Sequence, residues 1–147
     1  MKAKITLENI ANLDDKDIDE LIFEKGSEKN YRTIKDYLDD NEKNKAMYEM
    51  YSMRMFEGDV CNGGFDQFFL NYEELFFPAI NGLQKINAPK HLSLLQRAYD
   101  IHESQKKEFT DKRNVNLDEL DDEFYELEDL APFRQKFIKE NINLFLD

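Results

Sequence analysis

The spacing of apolar residues divides the chain into helical stretches separated by polar or glycine-containing breaks. Ile18, Leu21 and Ile22 form a stripe that predicts a helix. Asp14 or Asp15 opens it, and it runs to about Lys25 and ends at Gly26-Ser27. Tyr31, Ile34, Tyr37 and Leu38 repeat the helical spacing, and the polar run Asp39 to Lys45 reads as a linker or exposed loop. From Ala46 to Phe56 the pattern changes. Met47, Tyr48, Met50, Tyr51, Met53, Met55 and Phe56 cover nearly every side of a helix, which predicts a buried central one. Four of the five methionines lie in it and are read as core packing.

Gly63-Gly64 predicts a break, after which Phe65, Phe68, Phe69 and Tyr72 line one face of a new helix. Pro78 opens a further helix that runs to Ile86, Asn87-Ala88-Pro89 marks a turn, and Leu92, Leu95 and Tyr99 mark a helix continuing towards Phe109. Thr110 to Asn116 reads as a loop. Leu117, Leu120, Phe124, Leu127 and Ala131 keep a 3-4-3-4 spacing, one amphipathic helix that Pro132 ends or kinks. Phe133, Phe137 and Leu144 carry the last helix. Lys2 to Leu7 alternates as a short strand would, but no second strand is present to pair with it. The expected fold is all-α, a single domain over residues 1–147 with six or seven helices.

Composition agrees. A chain of 147 residues with 41% hydrophobic and 13% aromatic residues buries a core without metal or disulfide staples. The single cysteine, Cys61, forms no internal bridge, which suits a reducing compartment. Neither a signal-peptide pattern nor an apolar run of about 20 residues is present, so a cytoplasmic location and no membrane association are expected.

Charge narrows the partners. Twenty Lys and Arg face thirty-two Asp and Glu, a net charge of −12. Nucleic acid repels such a chain, and a basic protein attracts it. The imbalance is concentrated. Residues 117–147 hold ten acidic and three basic residues, whereas residues 89–116 hold four acidic and six basic ones. Asp118, Glu119, Asp121, Asp122, Glu123, Glu126, Glu128 and Asp129 fall within twelve residues, and no Lys or Arg lies between Leu117 and Pro132. On one continuous helix that is a charge per ~2.3 Å, against one per ~1.7 Å along duplex DNA. These eight acids are the candidate partner-binding residues. Lys106, Lys107, Lys112 and Arg113 are the nearest candidates in sequence to neutralise them.

Catalytic and metal chemistry is not indicated. His91 and His102, eleven residues apart on one expected helix, stand ~16 Å apart, too far to ligate one metal. Gly63-Gly64 lacks the spacing and lysine of a phosphate loop. Cys61 beside Asp59, with no Lys or His near in sequence, reads as a packed side chain rather than a nucleophile. No cofactor is expected.

The segment Asp59-Val60-Cys61-Asn62-Gly63-Gly64-Phe65-Asp66-Gln67-Phe68-Phe69-Leu70-Asn71 resembles a bacterial family of small helical domains that includes a dimeric DNA-mimic protein. The acidic run from Leu117 to Tyr125 resembles the late helix of the same family. The resemblance covers residues 45–147 and leaves residues 1–44 outside. Asp59 stands where the family usually carries Glu. The residues of the motif also have a structural reading. Gly63 and Gly64 permit a sharp reversal, Asn62 caps the next helix, and Asp59, Gln67 and Asn71 satisfy backbone groups at the break. Phe65, Phe68 and Phe69 fill the core.

Three functions fit. The first is an acidic interaction module, in the form of a DNA mimic for a regulator or nucleoid protein as the resemblance implies. The second is an immunity or antitoxin-type inhibitor of a toxin. The third, an enzyme or small-ligand binder at the Asn-Gly-Gly-Phe turn, requires a deep polar pocket there. A homodimer is expected, as the resemblance implies and as the surplus of phenylalanine supports. Its contact would avoid residues 118–129, where like charges repel.

Overall fold

Short polar side chains start the helices. In the computed structural model, which describes residues 4–147, Thr6 caps α1 (Leu7–Ile10) and Asp14 caps α2 (Asp15–Ser27). Thr33 caps α3 (Ile34–Leu38), and Asn41 caps α4 (Glu42–Tyr72). In each case the side-chain oxygen accepts from a backbone N–H three residues on, which satisfies a donor that the first turn leaves free. Then follow α5 (Phe76–Lys85), α6 (Pro89–Gln105), α7 (Asp118–Tyr125) and α8 (Ala131–Glu140), with 3₁₀ turns at Glu73–Leu75, Val115–Leu117 and Ile142–Leu144. The fold is all-α, and no strand occurs among the described residues. Seven helices remain if α1, a single turn, is set aside.

The expected strand at Lys2 to Leu7 falls partly outside the described residues. Of the rest, Thr6 caps a helix and Leu7 begins it. The expected loop at Asp39 to Lys45 is shorter, because Asn41 already starts α4. Gly26 and Ser27 lie inside α2 rather than beyond it. The reason is packing. A Cβ on Gly26 would stand 2.6 Å from the Met47 carbonyl oxygen, so glycine is what lets α2 cross α4 so closely.

The first half of α4 is the expected buried helix, with Ala46, Met47, Met50, Met53 and Phe56 all in the core. Its break comes at Gly64 alone, where φ is 85° and ψ 177°. The bend lets the second half fold its phenylalanines back onto the first. Phe56 meets Phe65, Phe68 and Phe124 at ring separations of 6.0, 5.4 and 5.5 Å. This core accommodates Phe65, Phe68, Phe69 and Phe76, and only Phe77 of that group is half exposed. The expected aromatic surplus is therefore mostly absorbed inside the chain. Each such ring is worth roughly 1.5–3 kcal/mol of burial.

The two ends of the described chain meet. The Ile5 N–H donates to the Asp147 carboxylate at 2.9 Å, the Asp147 N–H donates to the Ile5 carbonyl at 2.8 Å, and Lys25 pairs with the same carboxylate at 2.9 Å. Lys25 first, and then the Ile5 N–H, hold the Asp147 side chain below the usual carboxylate range. Its contribution is therefore complete above the ordinary aspartate pKa and is lost as pH falls through the lowered value. Asp147→Asn is expected to cost no more than about 1 kcal/mol at neutral pH, because solvent screens the pair. Faster amide exchange at Ile5, and convergence with the wild-type chain at acid pH, are the readouts.

Candidate protein-interaction site

Residues 117–130 do not form the single helix that their spacing predicts. α7 ends at Tyr125 after eight residues, about 12 Å of axis. The chain then turns, and α8 begins at Ala131 with Pro132 in its first turn. Proline is tolerated there because its missing N–H would have had no helical partner. Two contacts hold the turn. The Leu130 N–H donates to Glu57 Oε2 at 2.8 Å, and His91 Nε2 lies 2.8 Å from the Glu128 carbonyl oxygen. The turn also removes Glu126, Glu128 and Asp129 from a long helix whose C-terminal dipole would disfavour them.

The eight acids fall into two groups. Asp121 is buried and belongs to the fold. It accepts from the Phe65 N–H at 2.8 Å and from Arg113 at 3.1 Å, and so caps the helix that restarts after Gly64. Burial, partly offset by these two donors, raises its pKa. Asp118 is half-buried and pairs with Arg113 at 2.7 Å. Glu123 is exposed but makes a bidentate pair with Arg97 at 3.0 and 3.1 Å. That pair lowers the Glu123 pKa and raises the Arg97 pKa. The remaining five, Glu119, Asp122, Glu126, Glu128 and Asp129, are exposed, and none forms an ion pair among the described residues. Of the four cations expected to neutralise this stretch, only Arg113 does so. Lys106 pairs with Glu73 and Glu103, and Arg97, far away in sequence, was not foreseen.

The glycine motif is structural in a different way from that expected. Asn62 is exposed and does not supply the cap, because Asp121 arrives from 56 residues away. Gln67 packs against Gly63, where a Cβ would collide with its side chain, but neither it nor Asn71 bonds to the broken backbone. Both donate to the Asp59 carboxylate at 3.3 Å and tie the two halves of α4 together. Asp59, Gln67 and Asn71 thus spend their polar groups on one another, and the open groove of about 800 Å³ nearby is lined by Gln67 alone of these three. Cys61 is exposed rather than packed. Partial burial, with Glu57 and Asp129 beside it, pushes its thiol pKa up, which disfavours the nucleophilic thiolate.

The histidines are separately engaged. His91 is buried between Phe124 and Phe133, and His102 stacks on Phe69 at 4.5 Å. Glu73, His102 and Glu103 bring ligand atoms within 4.8 Å of one another, a cluster that sequence spacing did not reveal. Lys106 lies 3.0 Å from Glu103 and 3.6 Å from Glu73, supplying the positive charge that a bound cation would otherwise bring. No helix of the described residues is long and apolar enough to cross a membrane.

No curated protein and no solved structure matches the chain. A family model does match, over residues 41–141, and the chain belongs to the family that it describes, the DMP19-like proteins. The matched region begins at the Asn41 cap of α4 and takes in both the glycine break and α7.

Proposed function

We propose that this DMP19-like chain is a non-catalytic interaction protein of the cytoplasm. In this reading it imitates the charge of DNA and occupies the basic DNA-binding surface of a regulator or nucleoid protein. Membership of the family supports the mimic reading. The observation that carries it is the group of five exposed acids without ion-pair partners among the described residues, carried by α7 and the turn after it. A surface that serves only solubility usually interleaves lysine, since like charges at helical spacing cost a few tenths of a kcal/mol each. Asp121 is excluded from the contact by burial, and Asp118 and Glu123 take part only if their arginines are displaced. The functional protein is a homodimer whose contact lies away from α7, because −12 per chain opposes pairing through the acidic face.

The test is to replace Glu119, Asp122, Glu126 and Asp129 with Gln or Asn and to capture partners from source lysate at low salt. The expected outcome is at least tenfold weaker capture of a basic protein, with a flatter salt dependence and a melting temperature that does not fall. Equal capture with equal salt dependence by the variant would sink the proposal. If the captured protein is a toxin, the same surface serves an immunity function instead.

A further inference from the structure

A second feature lies in a different part of the molecule from α7. Tyr31, Tyr48, Phe77 and Tyr99, drawn from the segment before α3 and from α4, α5 and α6, line an open cavity of about 490 Å³ together with Glu73 and Glu74. Tyr31 and Tyr48 stand edge to face at 4.8 Å and 80°, and Phe77 and Tyr99 do so at 6.2 Å and 64°. The rings are held in place. The Tyr31 hydroxyl donates to Asp40 at 2.7 Å, and Tyr99 is stacked on Phe76 at 3.6 Å. The charge around them is negative. Burial first, then Tyr51 and Glu74, push Tyr48 up to about 12. Burial, Glu103 and Glu73 raise Tyr99. Glu74 is exposed and has no ion-pair partner among the described residues. Glu73 shares its charge with Lys106 at 3.6 Å, and His102 Nε2 lies 3.5 Å from it.

Aromatic faces attract cations through their quadrupole, and the attraction grows as the cation is desolvated. A neighbouring carboxylate adds Coulombic attraction and a hydrogen-bond acceptor. An apolar ligand alone would gain nothing from Glu73 and Glu74, and an anion would be repelled by them.

We infer that this cavity is a cation-binding pocket that receives one arginine side chain of the basic partner, with Tyr31, Phe77 and Tyr99 around the guanidinium and Glu74 as its counter-charge. The inference rests on the proposed interaction function only for the source of the cation. A protein side chain is favoured because the cavity is open to one side, is large enough to admit a long side chain with its planar head, and belongs to a chain of net charge −12. The planar guanidinium suits a site with rings and carboxylates together, since it stacks and donates in one geometry. The chain's own Arg32 lines the rim, is exposed and is in no ion pair among the described residues. Its positive charge opposes the entry of a second cation.

The test titrates the full chain with acetyl-Gly-Arg-Gly-amide and with the same peptide carrying citrulline, following the aromatic NMR signals of Tyr31, Phe77 and Tyr99. The arginine peptide is expected to shift them saturably and the citrulline peptide not to. Phe77→Ala and Glu74→Gln alter exposed side chains and leave the fold intact. Each is expected to weaken the peptide about fivefold, while Arg32→Ala tightens it. Equal shifts with citrulline, or an affinity unchanged in both weakening variants, would overturn the pocket. Tetramethylammonium displacing the peptide at a lower concentration than arginine amide would overturn the assignment to a side chain. The two proposals fail separately. A partner captured equally by the wild-type chain, Phe77→Ala and Glu74→Gln removes this one and leaves the acidic face. Arginine-peptide binding in a chain that captures no basic protein removes the other.

Discussion

Asp121→Ala is expected to lower stability by about 3 kcal/mol, although Asp121 lies in the most acidic stretch of the chain, where loss of one negative charge would relieve repulsion. The carboxylate accepts from the Phe65 N–H at 2.8 Å in a buried site, so truncation leaves that donor with neither protein nor water. A stranded buried donor costs about 1–3 kcal/mol, and a lost helix cap adds about 1. Arg113 keeps Asp118 at 2.7 Å and does not add a second unpaired charge. The same site disfavours Gly64→Ala. A residue with a side chain is strained at φ 85°, and its Cβ would collide with the Asp121 carboxylate. The two substitutions should therefore be non-additive, the double variant losing less than the sum, because Asp121→Ala removes the atoms that the new Cβ meets. Urea midpoints of the two single variants and the double one measure this. Burial raises the Asp121 pKa, so its ionisation works against folding. The stability linked to its proton is complete below the ordinary aspartate pKa and declines as pH rises through the raised one. A variant equal in stability to the wild-type chain at every pH would refute the capping role.

Asp19→Ala should cost more, about 4 kcal/mol. Asp19 on α2 and Arg134 on α8 are both buried and joined by two hydrogen bonds of 2.7 Å. Removing one partner strands the other charge in the interior, which typically costs about 3–5 kcal/mol, whereas replacing both with apolar residues of similar volume is far milder. Asp19→Leu with Arg134→Met should therefore recover most of the loss, as read from denaturant midpoints. The pair also bears on the first 40 residues, which precede the family match. α2 covers α4 at the close approach of Gly26, and it supplies the counter-ion of Arg134. A chain trimmed to residues 41–147 is accordingly expected to lose its cooperative unfolding transition.

What was legible in the sequence was local. The all-round apolar run from Ala46 to Phe56 marked the buried helix, because a helix without a polar face has nowhere else to go. Asp14 or Asp15 marked the start of α2, and Asp14 makes the capping hydrogen bond, which spans three residues. The phenylalanines after the glycines marked a core face through their spacing alone, and the eight acids were visible as a count. The contacts that decide what those acids do join residues far apart in sequence. Spacing along 117–131 fits one helix, yet Glu57 and His91, contributed by α4 and α6, hold a turn within it. The charge list has Asp121 and Asp122 side by side. Packing sends one beneath Gly64 to cap a helix 56 residues earlier and leaves the other in solvent. Arg97 neutralises Glu123 from 26 residues away, a pairing that no helical periodicity announces. Tyr31, Tyr48, Phe77 and Tyr99 carry no common motif and become neighbours only when α4, α5 and α6 pack together. Sequence determined that the chain is helical, where its main apolar faces lie and how much charge each segment carries. Tertiary structure decided which charges remain free, because desolvation and pairing depend on distance in space, and distance along the chain does not set it.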